Sequence, residues 1–240
     1  MRITLTFAFL ALCTGSCAFS MAEQTLRTQN ESFSAAGVSA VRLETGPGSL
    51  QVTGRPGAPS IEVTAEFKAN VGSQGDAKRI LDNLKLTMET RGDTFFLKSE
   101  QLSDWHWGDS GRIDLTITLP SAVRLDINDG SGSMSIKGMG RDVRIEDGSG
   151  EVEVDGVDGN LEIDDGSGSI WIRNVKGEVA IEDGSGGIDI ARVGGNVRID
   201  DGSGSIDVED VAGDLIIPHD GSGSVHYRDV RGRLDIPQRK

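Results

Sequence analysis

Six copies of Asp-Gly-Ser-Gly, opening at Asp129, Asp147, Asp165, Asp183, Asp201 and Asp220, place a carboxylate at intervals of 18, 18, 18, 18 and 19 residues. Each of these residues follows Asn128, Glu146, Asp164, Glu182, Asp200 or His219, so most copies offer two carboxyl groups side by side. Paired carboxylates suit three kinds of chemistry. An acid and a base flanking a glycosidic bond would cleave a polysaccharide. Carboxylates shared between repeats would hold Ca2+. An Asp opening a Gly-rich turn accepts hydrogen bonds from backbone N–H groups two residues on. Repetition argues against catalysis, because a catalytic pair needs its own tuned environment, whereas the same acid at the same turn six times is what a structural rule produces. The known calcium-binding repeat runs Gly-Gly-x-Gly-x-Asp over nine residues, and neither its order nor its period is met. Turn building is the expectation, with a row of Ca2+ ions as its alternative and no other cofactor indicated.

The remaining chemistry-bearing residues are few. Trp105-His106-Trp107 puts two of the three tryptophans of the chain in a loop-like stretch, where they would anchor a partner or plug the end of a repeat stack. Trp171 is the third, at a position where other repeats carry Ser135, Glu153, Asp189, Asp207 and His226, and an exposed indole there is the candidate for contact with another molecule. Trp105, His106, Trp107 and Trp171 are therefore the candidate partner-binding residues. Arg91-Gly92-Asp93 reads as hairpin-turn chemistry. The sequence has no nucleophile elbow, phosphate loop or zinc-helix motif, and its three histidines, His106, His219 and His226, are scattered. A non-enzymatic protein is expected.

The elements that position these residues follow from the period. One unit runs from Asp165 to Glu182 and contains two short alternating segments, with Ile170/Ile172 and Val179/Ile181 directed inward and Val175 at the bend. The same columns recur, as Met134/Ile136, Val152/Val154, Ile188/Ile190, Ile206/Val208 and Val225/Tyr227 in the first segment and as Val143/Ile145, Leu161/Ile163, Val197/Ile199, Leu215/Ile217 and Leu234/Ile236 in the second. A single coil cannot bury its own face, but stacked coils can, and fixed periods of this kind mark solenoids. The fold class is all-β: a single-chain β-solenoid, or β-helix, with coils of about 18 residues. Gly159, Gly177, Gly195, Gly213 and Gly232 mark a second corner, where positive φ would suit the bend.

Charge and targeting bound the partners. The formal net charge is −14, and residues 121–240 hold 25 Asp/Glu against 13 Lys/Arg, so the repeats carry most of it. Such a surface opposes nucleic acid and anionic lipid. Residues 1–22 read as a secretory signal, with Arg2, an apolar run from Ile3 to Leu12 and the small-x-small site Ser20-Met21-Ala22. Cys13 and Cys17 both lie within it, so a mature chain from Glu23 has no thiol or disulfide. Thr14-Gly15-Ser16-Cys17 also resembles a bacterial lipoprotein box, which leaves a lipid anchor at Cys17 as an alternative to a soluble periplasmic form. No apolar run in the mature chain is long enough to span a membrane.

Residues 23–120 precede the regular repeats at 121–240 and read as a β-rich cap. Gly46 to Gly54 echoes the unit as a degenerate first coil with Leu50 and Val52 inward, Ile61 to Phe67 alternates as a strand, Asp76 to Leu84 suits a short helix, and Lys85–Thr90 with Thr94–Lys98 suits a hairpin. Pro218 and Pro237 are expected to interrupt pairing at the far end. The order of signal, strand-rich lead-in, an Ile113-to-Pro120 strand ending in Leu-Pro and Gly-Ser-Gly coils resembles the bacterial "putative adhesin" domain of unknown function over about residues 35–240. That resemblance implies an envelope-associated β-solenoid of unassigned activity, and with the signal and the lack of catalytic motifs the expectation is an exported binding or scaffolding module of the periplasm or cell envelope whose partner is an envelope protein or glycan. It carries no assigned functional residues.

Overall fold

The structure, a computed structural model, describes residues 23–70, 74–102 and 110–236. The lead-in contains β1 (Glu23–Ser34), β2 (Ala40–Thr45), β3 (Leu50–Arg55), β4 (Ser60–Asn70), helix α1 (Gln74–Asn83), β5 (Leu84–Arg91), β6 (Thr94–Gln101) and β7 (Ser110–Pro120). Paired short strands follow: β8 (Arg124–Asp129), β9 (Gly132–Met139), β10 (Val143–Asp147), β11 (Gly150–Val157), β12 (Leu161–Asp165), β13 (Gly168–Val175), β14 (Val179–Asp183), β15 (Gly186–Val193), β16 (Val197–Asp201), β17 (Gly204–Val211), β18 (Leu215–Asp220), β19 (Val225–Val230) and β20 (Leu234–Asp235). They form two ten-stranded sheets, β1-β4-β7-β3-β9-β11-β13-β15-β17-β19 and β20-β18-β16-β14-β12-β10-β8-β2-β6-β5. The first is called sheet A and the second sheet B. The chain crosses between them at every corner, so the architecture is a β-solenoid of about six turns.

Register is set by the repeat. Ile170 lies opposite Val152 and Ile188, and Ile163 opposite Ile145 and Ile181, in parallel pairing. Each of these side chains is at most 1% exposed, so every coil buries its β-branched stripe on the coil below. Burial of one such side chain contributes about 1.5–3 kcal/mol. The degenerate coil is real: β2 pairs in parallel with β8, β3 pairs in parallel with β9, and Leu50 and Val52 sit opposite Met134 and Ile136. Beyond it the stack is closed by β7, β4 and β1 on sheet A and by β6 and β5 on sheet B, the β5–β6 hairpin turning at Gly92-Asp93. Ile80 of the helix and Leu84 at the start of β5 pack over Gly111.

The opposite end lacks such a cover among the described residues. Tyr227 and Leu234, which occupy core columns, are 48% and 42% exposed there. Pro218 does not end the stack. It lies in β18 at a register shift opposite β16, and the extra residue of this bulge accounts for the one 19-residue spacing. Pro237 lies outside the described residues.

Glycine roles differ from expectation at one corner. Gly159, Gly177, Gly195, Gly213 and Gly232 do not take positive φ; that conformation falls on Gly138, Gly156, Asn174, Arg192, Asp210 and Asp229, one per coil. In the complete coils from β9 to β17 this residue is skipped in strand pairing on both partners, a left-handed kink without register shift that turns the chain before the last inward residue. At Gly177 a Cβ would lie 2.4 Å from the Gly159 carbonyl oxygen, so the requirement there is close approach between coils.

The Asp-Gly-Ser-Gly corner has a stricter requirement. Gly186 has φ 151° and a Cβ on it would lie 1.5 Å from the Gly168 carbonyl oxygen, whereas a Cβ on the adjacent Gly187 meets nothing within 4 Å. Gly186→Ala is expected to lower unfolding stability by about 3 kcal/mol or more. Gly187→Ala should stay within about 0.5 kcal/mol of the parent. Chemical denaturation of the two variants checks the contrast, and equal losses would show that the corner is not close-packed.

Candidate functional site

Five of the six repeated aspartates do not face solvent, and Asp220 at the open end is half-buried. In Val143-Arg-Ile-Glu-Asp147 the alternation of the strand continues into the corner, so Asp147 points the same way as Val143 and Ile145 while Glu146 points out. Exposure is 5% for Asp129, 6% for Asp147, 2% for Asp165, 5% for Asp183 and 2% for Asp201. Their strands are in register, with Asp129, Asp147, Asp165 and Asp183 consecutive neighbours, which stacks the carboxyls about 4.8 Å apart. The turn-capping role expected from the sequence is present. The Ser167, Ser185 and Ser203 amides donate to Oδ1 of Asp165, Asp183 and Asp201 at 3.2, 3.1 and 2.9 Å. At the first rung the Thr45 hydroxyl donates to Asp129 Oδ1 at 2.5 Å.

Half of this hydrogen-bonding capacity is unmet. Oδ2 of Asp165, Asp183 and Asp201 is buried without a hydrogen-bond partner, and both Asp147 oxygens lie outside hydrogen-bonding geometry. Burial pushes the Asp147 carboxyl up to about 6, helped by the charges of Asp129 and Asp165, and the nearby Ser149 and Gly148 amides only partly offset it. Asp183 is likewise pushed up to about 6 by burial and then by Asp165 and Asp201. Burial also raises Asp129, Asp165 and Asp201.

This geometry bears on both rival chemistries. The two acids of each pair sit on opposite faces of their strand, Asp164 exposed and Asp165 buried, so they cannot converge on one ion or flank one bond. Among the described residues no group of three or more His, Cys, Asp or Glu side chains is placed to hold a metal ion. The carboxyls raised furthest, Asp147 and Asp183, are 6% and 5% exposed, with Asp183 among the residues that line an open acidic groove.

A surface site does exist on the outer face of sheet A. Trp171 projects from β13 and is half-buried rather than fully exposed as the sequence suggested, because it lies against its neighbours along a groove of about 490 Å³. The indole stands two rungs from Ser135, whose small side chain leaves the groove open, and Gln51, Ser133, Glu151, Glu153, Asp155 and Arg173 complete the lining. Arg173 is held beside the indole by hydrogen bonds to Asp189 Oδ1 at 2.9 Å and to the Ile172 and Asp189 carbonyls at 3.0 and 3.2 Å. Glu153 is held by the Ser135 hydroxyl at 2.9 Å and Lys137 at 3.3 Å. An indole face bordered by fixed hydroxyl, carboxylate and guanidinium groups suits a ligand with an apolar face and a polar edge. The sequence pointed to Trp171 but not to the other groove residues, which apart from Arg173 come from three other strands. Trp105, His106 and Trp107 lie outside the described residues.

A family model described as Toastrack DUF4097 matches residues 52–225. No curated protein matches the sequence. Among solved structures, a "putative adhesin" from Bacteroides fragilis aligns with a TM-score of 0.42 and 13% identity, over 87% of this chain and 97% of that one. A "putative lipid binding protein" from Parabacteroides distasonis aligns at 0.40 and 10%, over 87% and 96%. A "putative cell adhesion protein" from Clostridium sporogenes aligns at 0.32 and 13%, over 87% and 97%. Likeness at this level carries no inference about activity.

Because the carboxylates of each pair diverge, the coils are expected to hold together without calcium. The thermal midpoint is expected to be the same in excess EDTA and in millimolar Ca2+; a rise of several degrees with Ca2+ would restore the cation reading.

Proposed function

The chain belongs to the Toastrack DUF4097 family, and from that membership we propose that it is an exported, non-catalytic β-solenoid serving as a binding or scaffolding module of the bacterial cell envelope. Its contact surface is the outer face of sheet A around Trp171, and its partner is an envelope protein or glycan. The observation that carries this reading is the groove itself, where one indole breaks a polar column and Arg173 and Glu153 are fixed beside it. Export rests on the signal-like residues 1–22, which lie outside the described residues. Among the described residues no helix is long and apolar enough to cross a membrane. The absence of a convergent acid–base pair at the repeated corners supports the non-catalytic reading.

Trp171→Ala removes the platform without touching a core column. Sedimentation with isolated bacterial envelope fractions is expected to show at least about tenfold weaker association for this variant, the loss of a desolvated aromatic anchor. Its melting temperature should stay within a few degrees of the parent. Undiminished association would remove the groove from the contact surface. Glycan cleavage by the parent protein that disappears in Asp→Asn variants would overturn the non-catalytic assignment.

A further inference from the structure

The carboxyl column is the largest departure of this fold from ordinary packing, and the binding proposal makes no use of it. Five aspartates between Asp129 and Asp201 are at least 94% buried, stacked in register along one internal corner. Three of them satisfy one oxygen with the Ser amide two residues on and leave the other without a partner. No cation offsets them: among the described residues no lysine or arginine pairs with Asp129, Asp147, Asp165, Asp183 or Asp201.

The groups that face the column add negative charge. Each rung faces the rungs above and below it. Asp164 and Asp200 flank Asp165 and Asp201 from the outer side, and Asp220 sits beyond Asp201. Across the core, sheet A contributes Met134, Val152, Ile170, Ile188 and Ile206 at its first inward column, none of them charged. Thr45 is the neutral donor at the lower end.

A row of five fully ionised carboxylates at this spacing, in a dry corner and without a counter-ion, would be costly in two ways. Each charge loses its water, and each repels the next. A carboxylic acid removes both penalties, since it is neutral and its O–H donates where an ionised group can only accept. The unsatisfied Oδ2 atoms then become donors or acceptors toward the adjacent rung.

We propose that the buried aspartate column is a proton-holding ladder, in which rungs stay protonated at pH values where exposed carboxylates are ionised, so that folding takes up protons and the solenoid loosens as the pH rises. The direction follows from linkage. The folded-state values of Asp147 and Asp183 lie above the usual carboxylate value, at about 6. Their contribution is therefore fully present below the unfolded value near 4 and is lost as the pH climbs through 6. Carboxylates held below their ordinary range by partners, such as Glu146 beside Arg144 and Asn128, act in the opposite sense and only in more acid solution. Stability should pass through a maximum near pH 4–5, at or below the acid edge of the range of about pH 5–8 in which maximal stability usually lies.

Two measurements on the intact protein test this. The first follows urea unfolding between pH 5 and pH 6. Two rungs at about 6 predict that the unfolding equilibrium constant rises about thirtyfold over that interval. Asp183→Asn, which keeps the acceptor for the Ser185 amide, should cut the rise to about fivefold, and Asp147→Asn should do the same. Glu62→Gln removes the same charge from an exposed position on the cap and should leave it at about thirtyfold. The second measurement is the infrared carbonyl stretch of a protonated carboxylic acid, which should be present in the folded protein at pH 6 and diminished in Asp183→Asn. A pH dependence shared equally by all three variants, or a folded protein at pH 6 with no protonated-acid band, would overturn the ladder. The infrared test stands even if a rung variant fails to fold.

Discussion

The spacing of about 4.8 Å between hydrogen-bonded coils governs everything else in this molecule. Parallel, in-register pairing brings each residue onto its own counterpart 18 positions away, so a side chain must be compatible with a copy of itself. Isoleucine and valine meet that condition in the interior, where methyl groups interlock along the column. At the second corner the column instead alternates acids with asparagine, and Asn160 Oδ1 accepts from the Glu178 amide at 3.0 Å and Asn196 Oδ1 from the Asp214 amide at 2.9 Å. Glycine meets it where the backbone of one coil rests on the next and no side chain fits. Acids also stack on acids on the outer faces, as Asp164, Glu182 and Asp200 do, but in the interior only aspartate violates the condition while ionised, and that singles out the corner.

Much of this was legible in the sequence because the period fixes what lies beside what. The inward columns, the degenerate coil at Leu50 and Val52 and the hairpin at Gly92-Asp93 all follow from alternation and turn chemistry. The helix at Gln74–Asn83 begins two residues before the expected Asp76, a shift within the ordinary fraying of helix ends. Less visible was the inward direction of the aspartates. The signal was present, since Leu161, Ile163 and Asp165 share one parity, but Asp before Gly invites a solvent-facing turn. The left-handed column was hidden for another reason. Gly138, Gly156, Asn174, Arg192, Asp210 and Asp229 share no residue type, and side-chain bonds such as Arg192 Nε to Asn174 Oδ1 at 2.6 Å help hold a conformation that local propensity would not select.

The candidate groove was less legible than the fold for the same physical reason. A solenoid makes its interior from like pairs, but its outer face is free to vary, and a surface site arises from the exceptions. Trp171 was visible as one such exception. The depth of the groove depends on what stands two rungs away, and Ser133 and Ser135 matter only because they are small where the indole is large. No local motif encodes that relation.

The lower end of the aspartate column shows how the fold limits its own electrostatic cost. Were the degenerate coil to repeat the motif faithfully, a seventh carboxyl would sit where Thr45 stands, opposite Asp129. Thr45 instead brings a hydroxyl that donates to Asp129, replacing a repulsive neighbour with a hydrogen bond. Burial still raises the Asp129 carboxyl, but the Thr45 hydroxyl opposes that rise, while Asp147 one rung higher has a carboxylate on both sides. The cap therefore does more than cover a sheet edge. It terminates a column of acids with a neutral donor at the point where stacking another acid would have compounded the charge, which ties the departure from the repeat in residues 40–55 to the chemistry of the repeat itself.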